Sequence, residues 1–345
     1  MKKAVTIQTI ADALGVSRNT VSKALNGQPC PPKTKEAVIR KAQQLGYKSF
    51  DSEILTSKKY RILLFSGKPF HNIEFFLPLA KSIENYCYQH NFTFFQYTSN
   101  PRQTSLEKIQ ESIRGMEVDG IVAIETFDPV LINGLVALDI PICFIDFAGR
   151  MFPYQGKFDV LTTSDQKIIC DCVKGLIQEQ SARHFTFVGD FRHCLSFHER
   201  YIGMLRGISR SDLEHYQKED ICESDDVFDY GNPDALKERI AKLPYFPDCF
   251  VCCNDFVARR VIMALKRLGR KVPQDTMVTG FDGVSDASEP QPTITTFVVE
   301  KECLGIEALE ILMSRIRRPT TPIRIVYMDC PKRSGESTQR LPKSK

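Results

Sequence analysis

From Arg61 onward, short apolar runs alternate with segments long enough to be helices. The apolar runs are ILLFS (62–66), FTFFQY (92–97), GIVAI (120–124), ICFID (142–146), FTFV (185–188), CFVC (249–252) and MVTGF (277–281). The helix-length segments are 75–88, 105–116, 129–138, 166–178, 199–208, 233–243 and 255–268. Nearly continuous apolar strands separated by helices are typical of parallel sheets buried on both faces. The body of the chain is therefore predicted to consist of two similar α/β lobes.

The first 61 residues differ in charge from the rest of the chain. They contain 12 Lys or Arg and 4 Asp or Glu, a net charge of +8, whereas the remaining residues have a net charge of −4. A basic segment on a mildly acidic body indicates contact with a polyanion such as DNA, because neutralised phosphates release counterions. A solvated basic face is the alternative.

Composition and motifs exclude several classes of protein. No apolar run approaches the roughly 18 residues of a membrane span, and the amino terminus lacks the apolar region of a signal peptide, so we expect a cytoplasmic chain. The 12 cysteines are then expected to be reduced core residues. Cys249 and Cys252 form a CxxC, but no second ligand pair is nearby, so packing is favoured over zinc. No nucleotide-binding or hydrolase motif occurs, so neither an enzyme nor a cofactor is expected.

The basic segment has the pattern of a helix-turn-helix. Apolar residues recur at helical spacing after Thr6, a good N-cap, and Gly15 can end that helix in a left-handed conformation. Ser17 can cap a second helix, whose inward residues are Val21, Ala24 and Leu25. A third helix is predicted over 33–45. Such a small all-α unit places its second helix in the DNA major groove.

The second predicted helix exposes Arg18, Asn19, Ser22 and Lys23. Arginine can donate two hydrogen bonds to guanine and asparagine can pair with adenine, so these types suit base recognition at the start of a helix. An ordinary polar helix surface is the competing interpretation.

The segments TIADALGVSRNTVSKALNG and QQLGYK resemble the DNA-binding head of the LacI/GalR family of bacterial transcriptional regulators. The resemblance covers 1–48 and implies that Arg18, Asn19 and Lys23 read bases. It also implies phosphate contacts for Thr6, Ser17, Thr20, Ser22 and Asn26. Pro31 stands where the family usually has a serine, which is compatible with a helix start.

The linker, 49–59, resembles the family less closely. In the family this hinge folds on operator DNA and inserts a leucine into the minor groove, a role that would fall to Leu55 or Ile54. The usual Pro-Asn start is missing, and Asp51 and Glu53 would repel phosphates. A plain polar linker is the alternative.

The body, 60–335, also resembles the family, through GMEVDGIVAI, IPICFIDF, SFHERYIGMLRGI, CCNDFVARRVIMALKRLGRKVPQDTMVTGFDG and TITTF. This implies a type I periplasmic-binding-protein-like effector domain of two Rossmann-like lobes. Lobe 1 would comprise about 60–161 and 293–320, and lobe 2 about 163–291 and 323–335. The chain would cross between lobes near 161–163, 291–293 and 320–323. From Lys332 the chain is predicted to be disordered, with a polar tail at 336–345.

Ligands of open α/β sheets bind beyond the carboxyl ends of the strands, which predicts a site between the lobes. By family position, the candidate ligand-binding residues are Arg200, Asn254 and Asp282, followed by Asp146, Ser164 and Asp165. Phe76, Phe147 and Phe281 could supply apolar faces for stacking. Arginine and aspartate suit a polyhydroxylated ligand, because one donates hydrogen bonds and the other accepts them. As alternatives, Asn254 could cap its helix, Asp282 could hold a turn, and Phe76 or Phe147 could be core.

The sequence thus predicts a homodimeric transcriptional regulator, a repressor, that binds a pseudo-palindromic operator and responds to a small effector, most simply a carbohydrate. Gly283 replaces a frequent second acid of the family, so the ligand class cannot be transferred from a relative. The alternatives are a sugar-binding protein without a DNA role, a DNA-binding regulator that has lost ligand control, and an enzyme on the same fold.

Overall fold

The computed structural model describes residues 5–25, 30–45, 47, 59–69, 73–100, 103–148, 156–214, 220–284 and 292–339. The chain forms two compact units, 1–59 and 60–345.

The first unit is a three-helix head with α1 (Ile7–Leu14), α2 (Arg18–Leu25) and α3 (Pro32–Leu45). Thr6 and Thr9 form a reciprocal capping box at the start of α1, and Gly15 ends it with φ of 63°. The Ser17 hydroxyl accepts a hydrogen bond of 3.0 Å from the amide of Thr20. The buried apolar side chains of the three helices are Ile10, Ala11, Val21, Ala24, Leu25, Val38 and Ala42. The predicted helix-turn-helix is therefore confirmed.

The second unit contains a six-stranded parallel sheet in the order β10-β5-β4-β3-β1-β2. Its strands are β1 (Arg61–Ser66), β2 (Thr93–Thr98), β3 (Gly120–Ile124), β4 (Ile142–Ile145), β5 (Phe158–Thr163) and β10 (Ile325–Met328). The helices of this lobe are α4 (Ile73–Gln89), α5 (Leu106–Gly115), α6 (Pro129–Val136) and α11 (Lys301–Arg317). Because α11 packs on α4 and on β3, β4 and β5, it completes lobe 1.

Lobe 2 is built on a three-stranded parallel sheet, β6 (Phe185–Val188), β7 (Cys249–Cys252) and β8 (Met277–Thr279). Its helices are α7 (Asp165–Gln180), α8 (Leu195–Ser209), α9 (Pro233–Ala241) and α10 (Asp255–Arg267). A short antiparallel pair, β9 (Thr296–Phe297) and β11 (Lys332–Arg333), lies beside it. Cys249 and Cys252 are buried in β7, as expected of core residues. The predicted two-lobed α/β architecture is confirmed.

Two of the three predicted crossings between lobes are displaced. The first falls at Ser164, between β5 and α7, close to 161–163. The second follows β9, which pairs within lobe 2, so it lies at about 299–300 rather than 291–293. The third follows β10, which pairs with β5 of lobe 1, so it lies at 329–331 rather than 320–323. Strands β5 and β10 were not predicted, because polar residues interrupt the apolar pattern of β5 and flank the short run of β10.

The predicted disorder from Lys332 is wrong for the described part of that segment. Strand β11 pairs with β9, and a 3-10 helix follows at Glu336–Thr338. Ser337 is fully buried, and its hydroxyl donates a 2.6 Å hydrogen bond to the carbonyl of Val278. The segment is thus fixed by the edge of lobe 2. Residues 340–345 lie outside the described residues. Within the described residues, no helix combines the length and the apolarity that a membrane crossing needs.

Candidate functional site

A cavity of about 1140 Å³ lies between lobes 1 and 2, at the carboxyl ends of their strands. Loops after β1, β3 and β4 line it from one lobe, and loops after β6 and β7 line it from the other. Parallel strands direct their carboxyl ends to one edge of the sheet, so two facing lobes necessarily enclose such a space. Its volume is that of a small-molecule site.

Arg200, in the first half of α8, is the central cation of this cavity. Its side chain is only 5% exposed, and its Nε lies 2.8 Å from Oδ2 of Asp165. Its Nη1 donates to the carbonyl of Cys253 at 2.5 Å and lies 3.5 Å from Oδ1 of Asp282. The guanidinium rests on the ring of Phe281, 3.8 Å from its centroid. Charge, hydrogen bonding and stacking together hold Arg200 in one orientation.

Burial shapes the ionisation of this cluster. It raises the pKa of Asp282 to about 7, although Arg200 opposes the rise. Burial likewise raises the pKa of Asp165, again against the effect of Arg200. For Arg200 itself burial favours the neutral form, but the two carboxylates outweigh it and raise its pKa. The guanidinium is therefore permanently charged.

Asp146 connects the two lobes. It follows β4 of lobe 1 with φ of 62°, a left-handed conformation that aspartate tolerates. Its carboxylate accepts hydrogen bonds from the hydroxyl and the amide of Ser196 in lobe 2, at 2.6 and 3.1 Å. Because Ser196 lies in the first turn of α8, the carboxylate also meets the positive end of that helix.

A second contact between lobes lies at another part of the cavity wall. Lys68, after β1, pairs with Glu125 at 2.9 Å and approaches Nε2 of His193 in lobe 2 at 3.3 Å. The other ring nitrogen of His193 lies 3.1 Å from Asp225. Burial and the nearby Lys68 lower the pKa of His193 to about 4, so its ring is neutral at pH 7.

Five of the nine predicted ligand-binding residues line the cavity: Phe76, Asp146, Arg200, Asn254 and Asp282. Asn254 also caps α10, accepting a 2.9 Å hydrogen bond from the amide of Val257. The other four are not part of the cavity wall as described.

Each of those four has a different place. Phe147 is buried against Phe144 and Phe158, so it is core. Phe281 and Asp165 lie behind Arg200 and hold it. Ser164 is the point at which the chain passes from β5 to α7. Their role is therefore to build and orient the wall, not to face its interior.

The acidic and aromatic loop 224–231 was not predicted from the sequence to reach the cavity. Asp225, Asp226, Phe228, Asp229 and Tyr230 all line the cavity. Only an isolated bridge between Val188 and Ile221 precedes this loop, so no predicted strand indicated that it would reach the site. The run SDDVFDYG, rich in acids and aromatics, was the available signal.

In the head, Arg18 and Asn19 are exposed in the first turn of α2, and Lys23 is exposed further along it. Thr6 and Ser17 are exposed caps whose hydroxyls bond within the head. Thr20 and Ser22 are half-buried. Asn26, Ile54, Leu55 and the acids Asp51 and Glu53 lie outside the described residues, so the predicted hinge stays a prediction.

The raised carboxyl pKa values predict a pH dependence of stability. Aspartate in an unfolded chain titrates near about 3.9, whereas burial raises the pKa of Asp282 to about 7 and that of Asp255 to about 6. Between these values the folded state binds more protons, so its stability falls as pH rises. Asp282→Asn should reduce the pH dependence of the free energy of unfolding between pH 5 and 8 by the equivalent of up to one bound proton. Urea denaturation at several pH values measures this dependence. The exposed Asp212→Asn should leave it unchanged. Equal slopes for both variants would contradict the assignment.

The described residues thus form a three-helix head that contains a helix-turn-helix and a two-lobed α/β domain around a cavity. Residues 176–338 match the family model "Periplasmic binding protein-like domain". The sequence is 26% identical over 328 residues to the HTH-type transcriptional repressor PurR of Actinobacillus pleuropneumoniae serotype 3 (strain JL03). That match covers 90% of this chain and 91% of the relative.

Solved structures share the fold. The transcriptional regulator CelR in complex with cellobiose has a TM-score of 0.68 and 19% identity, covering 96% of this chain and 99% of CelR. The lac repressor dimer bound to operator and the anti-inducer ONPF has a TM-score of 0.65 and 17% identity, covering 97% of this chain and 99% of that one. Together with the sequence match, these structures show that the chain is similar over most of its length to transcriptional repressors and regulators that share this fold.

Proposed function

We propose that this protein is a transcriptional repressor that binds a specific operator through its head and responds to a small ligand in the cavity between its lobes. The observation that carries the proposal is the exposed first turn of α2, where Arg18 and Asn19 stand together on a folded three-helix unit. These side chains can read base edges in the major groove. The cavity provides the site for the small ligand.

The ligand is proposed to be a carbohydrate or a related polyhydroxylated molecule. The structurally similar CelR binds cellobiose. In this chain, Arg200 and Asp282 offer charged hydrogen-bonding groups inside a cavity that also has aromatic walls, a combination that suits sugar hydroxyls and the apolar faces of sugar rings. The two groups stand 3.5 Å apart, so one ligand can reach both.

The contacts between lobes give the ligand a means of action. Asp146 with Ser196, and Lys68 with His193, join the lobes on the cavity wall. A ligand that contacts both lobes stabilises the arrangement in which these contacts form, and thus shifts the population of that arrangement. Coupling to DNA requires that the two arrangements differ in operator affinity.

The assembly is proposed to be a cytoplasmic homodimer on a pseudo-palindromic operator. The lac repressor, of similar fold, is a dimer bound to operator. One head contacts few base pairs, so two heads on two half-sites supply the affinity and the symmetry of a specific site. Analytical ultracentrifugation with and without operator tests this state. A monomer on a single half-site would contradict it.

Arg18→Ala should weaken discrimination between operator and random DNA by about 1–3 kcal/mol per half-site, since a bidentate contact to one base is lost. Competition binding at fixed salt measures this ratio. Arg40→Ala is the matched control, because it removes the same charge from an exposed position on α3. It should weaken operator and random DNA alike. If the two variants lost the same selectivity, Arg18 would not be a base-reading residue.

The alternatives make different predictions. A sugar-binding protein without a DNA role would show no operator preference, and a regulator without ligand control would show one that no small molecule changes. An enzyme would convert the ligand that it binds. Thermal shift with sugars, sugar phosphates, nucleosides and purines, followed by operator titration with any compound that stabilises the protein, separates these cases.

A further inference from the structure

The cavity between the lobes is lined with many more carboxylates than cations. Its acidic residues are Glu125, Asp128, Asp146, Asp190, Asp225, Asp226, Asp229 and Asp282. Burial raises the pKa of Asp225 to about 6 and that of Asp282 to about 7, so these two are only partly charged at pH 7. Its permanent cations are Lys68, Arg192 and Arg200. His193 adds no charge at pH 7, because burial and Lys68 lower its pKa to about 4. A wall of this composition creates a negative potential inside a partly enclosed space, where charges are poorly screened.

Each cation of the wall is already paired with a carboxylate. Lys68 lies 2.9 Å from Glu125. Arg192 lies 3.2 Å from Asp190 and also donates to the carbonyl of Cys222.

Arg200, the most buried of the three, is neutralised by Asp165 from behind the wall. No cation of the cavity therefore remains to hold a phosphate or carboxylate of a ligand. An anionic ligand would meet only the surplus of negative charge, which disfavours it.

Carboxylates without a cation remain on the same wall. Within the described part of the chain, Asp226 and Asp229 form no ion pair. Both lie on the loop 224–231 beside the aromatic rings of Phe228 and Tyr230, which also line the cavity. Carboxylates combined with aromatic faces are what proteins use to bind positively charged nitrogen, through Coulomb attraction and cation–π contact.

Asp282 gives separate evidence for a ligand that donates hydrogen bonds. The residue is 7% exposed, yet its carboxylate accepts no hydrogen bond from the described residues, and Nη1 of Arg200 stands 3.5 Å away. A buried carboxylate usually has hydrogen-bond partners. A ligand with N–H or O–H groups would provide them.

We infer that the effector carries a positively charged amine on a hydroxylated scaffold and has no phosphate or carboxylate group, an inference that rests on the proposed ligand response. The amine lies toward the acidic loop 224–231, and the hydroxyls reach Asp282 and Arg200. The chemical class is that of amino sugars and related hydroxylated amines.

Glucose, glucosamine and glucose 6-phosphate form a matched set that differs mainly in charge. We expect glucosamine to stabilise the full-length protein most in thermal shift and calorimetry, and glucose 6-phosphate least. The dissociation constant of glucosamine should rise with salt, whereas that of glucose should not. If glucose or glucose 6-phosphate bound more tightly, the inference would be overturned while the proposed function stood. If none of the three, at tens of millimolar, stabilised the protein, the inference would fail together with the ligand part of the proposed function.

Two variants test where the positive charge of the ligand lies in the cavity. Asp226→Asn should weaken glucosamine binding about fivefold, because removal of a charge a few ångströms away costs about 1 kcal/mol in a water-like medium. It should weaken glucose binding by a smaller factor, because glucose carries no charge. Asp212→Asn makes the same substitution outside the cavity, at an exposed residue with φ of 55° that asparagine tolerates, and should change neither. Equal losses for both sugars, or for both variants, would overturn the placement of the amine.

Discussion

Arg200→Ala is expected to destabilise the protein by about 3–5 kcal/mol and to abolish its response to ligand, since removal of one partner leaves buried charge uncompensated. The side chain is 5% exposed and is the only cation among the described residues within 4 Å of the carboxylate oxygens of Asp165 or Asp282. Without it, the pKa of both carboxyls should rise further. The loss should therefore grow from pH 5 to pH 8, because the folded variant keeps protons on these acids that the folded parent gives up over this range. Urea denaturation across this pH range measures it.

Arg206→Ala, one and a half turns further along α8, provides the control. Its guanidinium is more exposed and donates to the side chain of Gln166, so its removal should cost about 0.5 kcal/mol or less. A similar small loss for Arg200→Ala, independent of pH, would mean that the cavity does not depend on this cation.

Asp159→Ala is expected to lower the free energy of unfolding by a similar amount, about 3–5 kcal/mol, because it leaves the buried guanidinium of Arg315 without its carboxylate partner. Asp159 and Arg315 are both fully buried. Asp159 of β5 accepts hydrogen bonds from Nε of Arg315 at 3.0 Å and from the amide and Nη2 of Arg324, each at 2.8 Å. This carboxylate therefore ties α11 and the segment before β10 to the sheet of lobe 1.

The free energy of unfolding at acidic pH should depend on the same ion pairs. Burial alone would raise the pKa of Asp159, but the hydrogen bonds from Arg324 and Arg315 lower it below the ordinary value. The stabilisation is thus complete above the unfolded value of about 3.9 and is lost as pH falls through the folded pKa. The penalty of Asp159→Ala should shrink below about pH 4. Asp171→Ala, which removes an exposed partner of Lys167, should cost at most about 1 kcal/mol at any pH. A penalty for Asp159→Ala no larger than that of the control would contradict the account.

The parts of the fold that depend on local chemistry were predictable. Thr6, Gly15 and Ser17 occupy the caps and the turn that their residue types favour. Strands β1, β3 and β7 were visible because they are buried on both faces. Strand β10 was not, because it lies at the edge of the sheet with Ile325 and Tyr327 exposed and polar flanks. The third crossing between lobes was misplaced as a consequence.

The candidate site was predictable only in part, because it depends on which way a side chain points after its strand ends. Arg200 was identifiable, since a charge on an apolar helix start needs a partner. Phe281, predicted at the end of a strand, follows β8, and its ring supports Arg200 from behind. Phe147 is buried among other phenylalanine rings. Loop lengths and inter-lobe contacts decide such orientations, and neither is encoded in a local pattern.

The most direct test of the central claim is a binding titration of the full-length protein, at moderate salt, against an operator selected from genomic fragments and against random duplex. The account predicts at least a thousandfold preference for the operator, as specific DNA-binding proteins usually show, and a change in that preference when a cavity ligand is added. Equal affinity for both duplexes, with and without ligand, would contradict it.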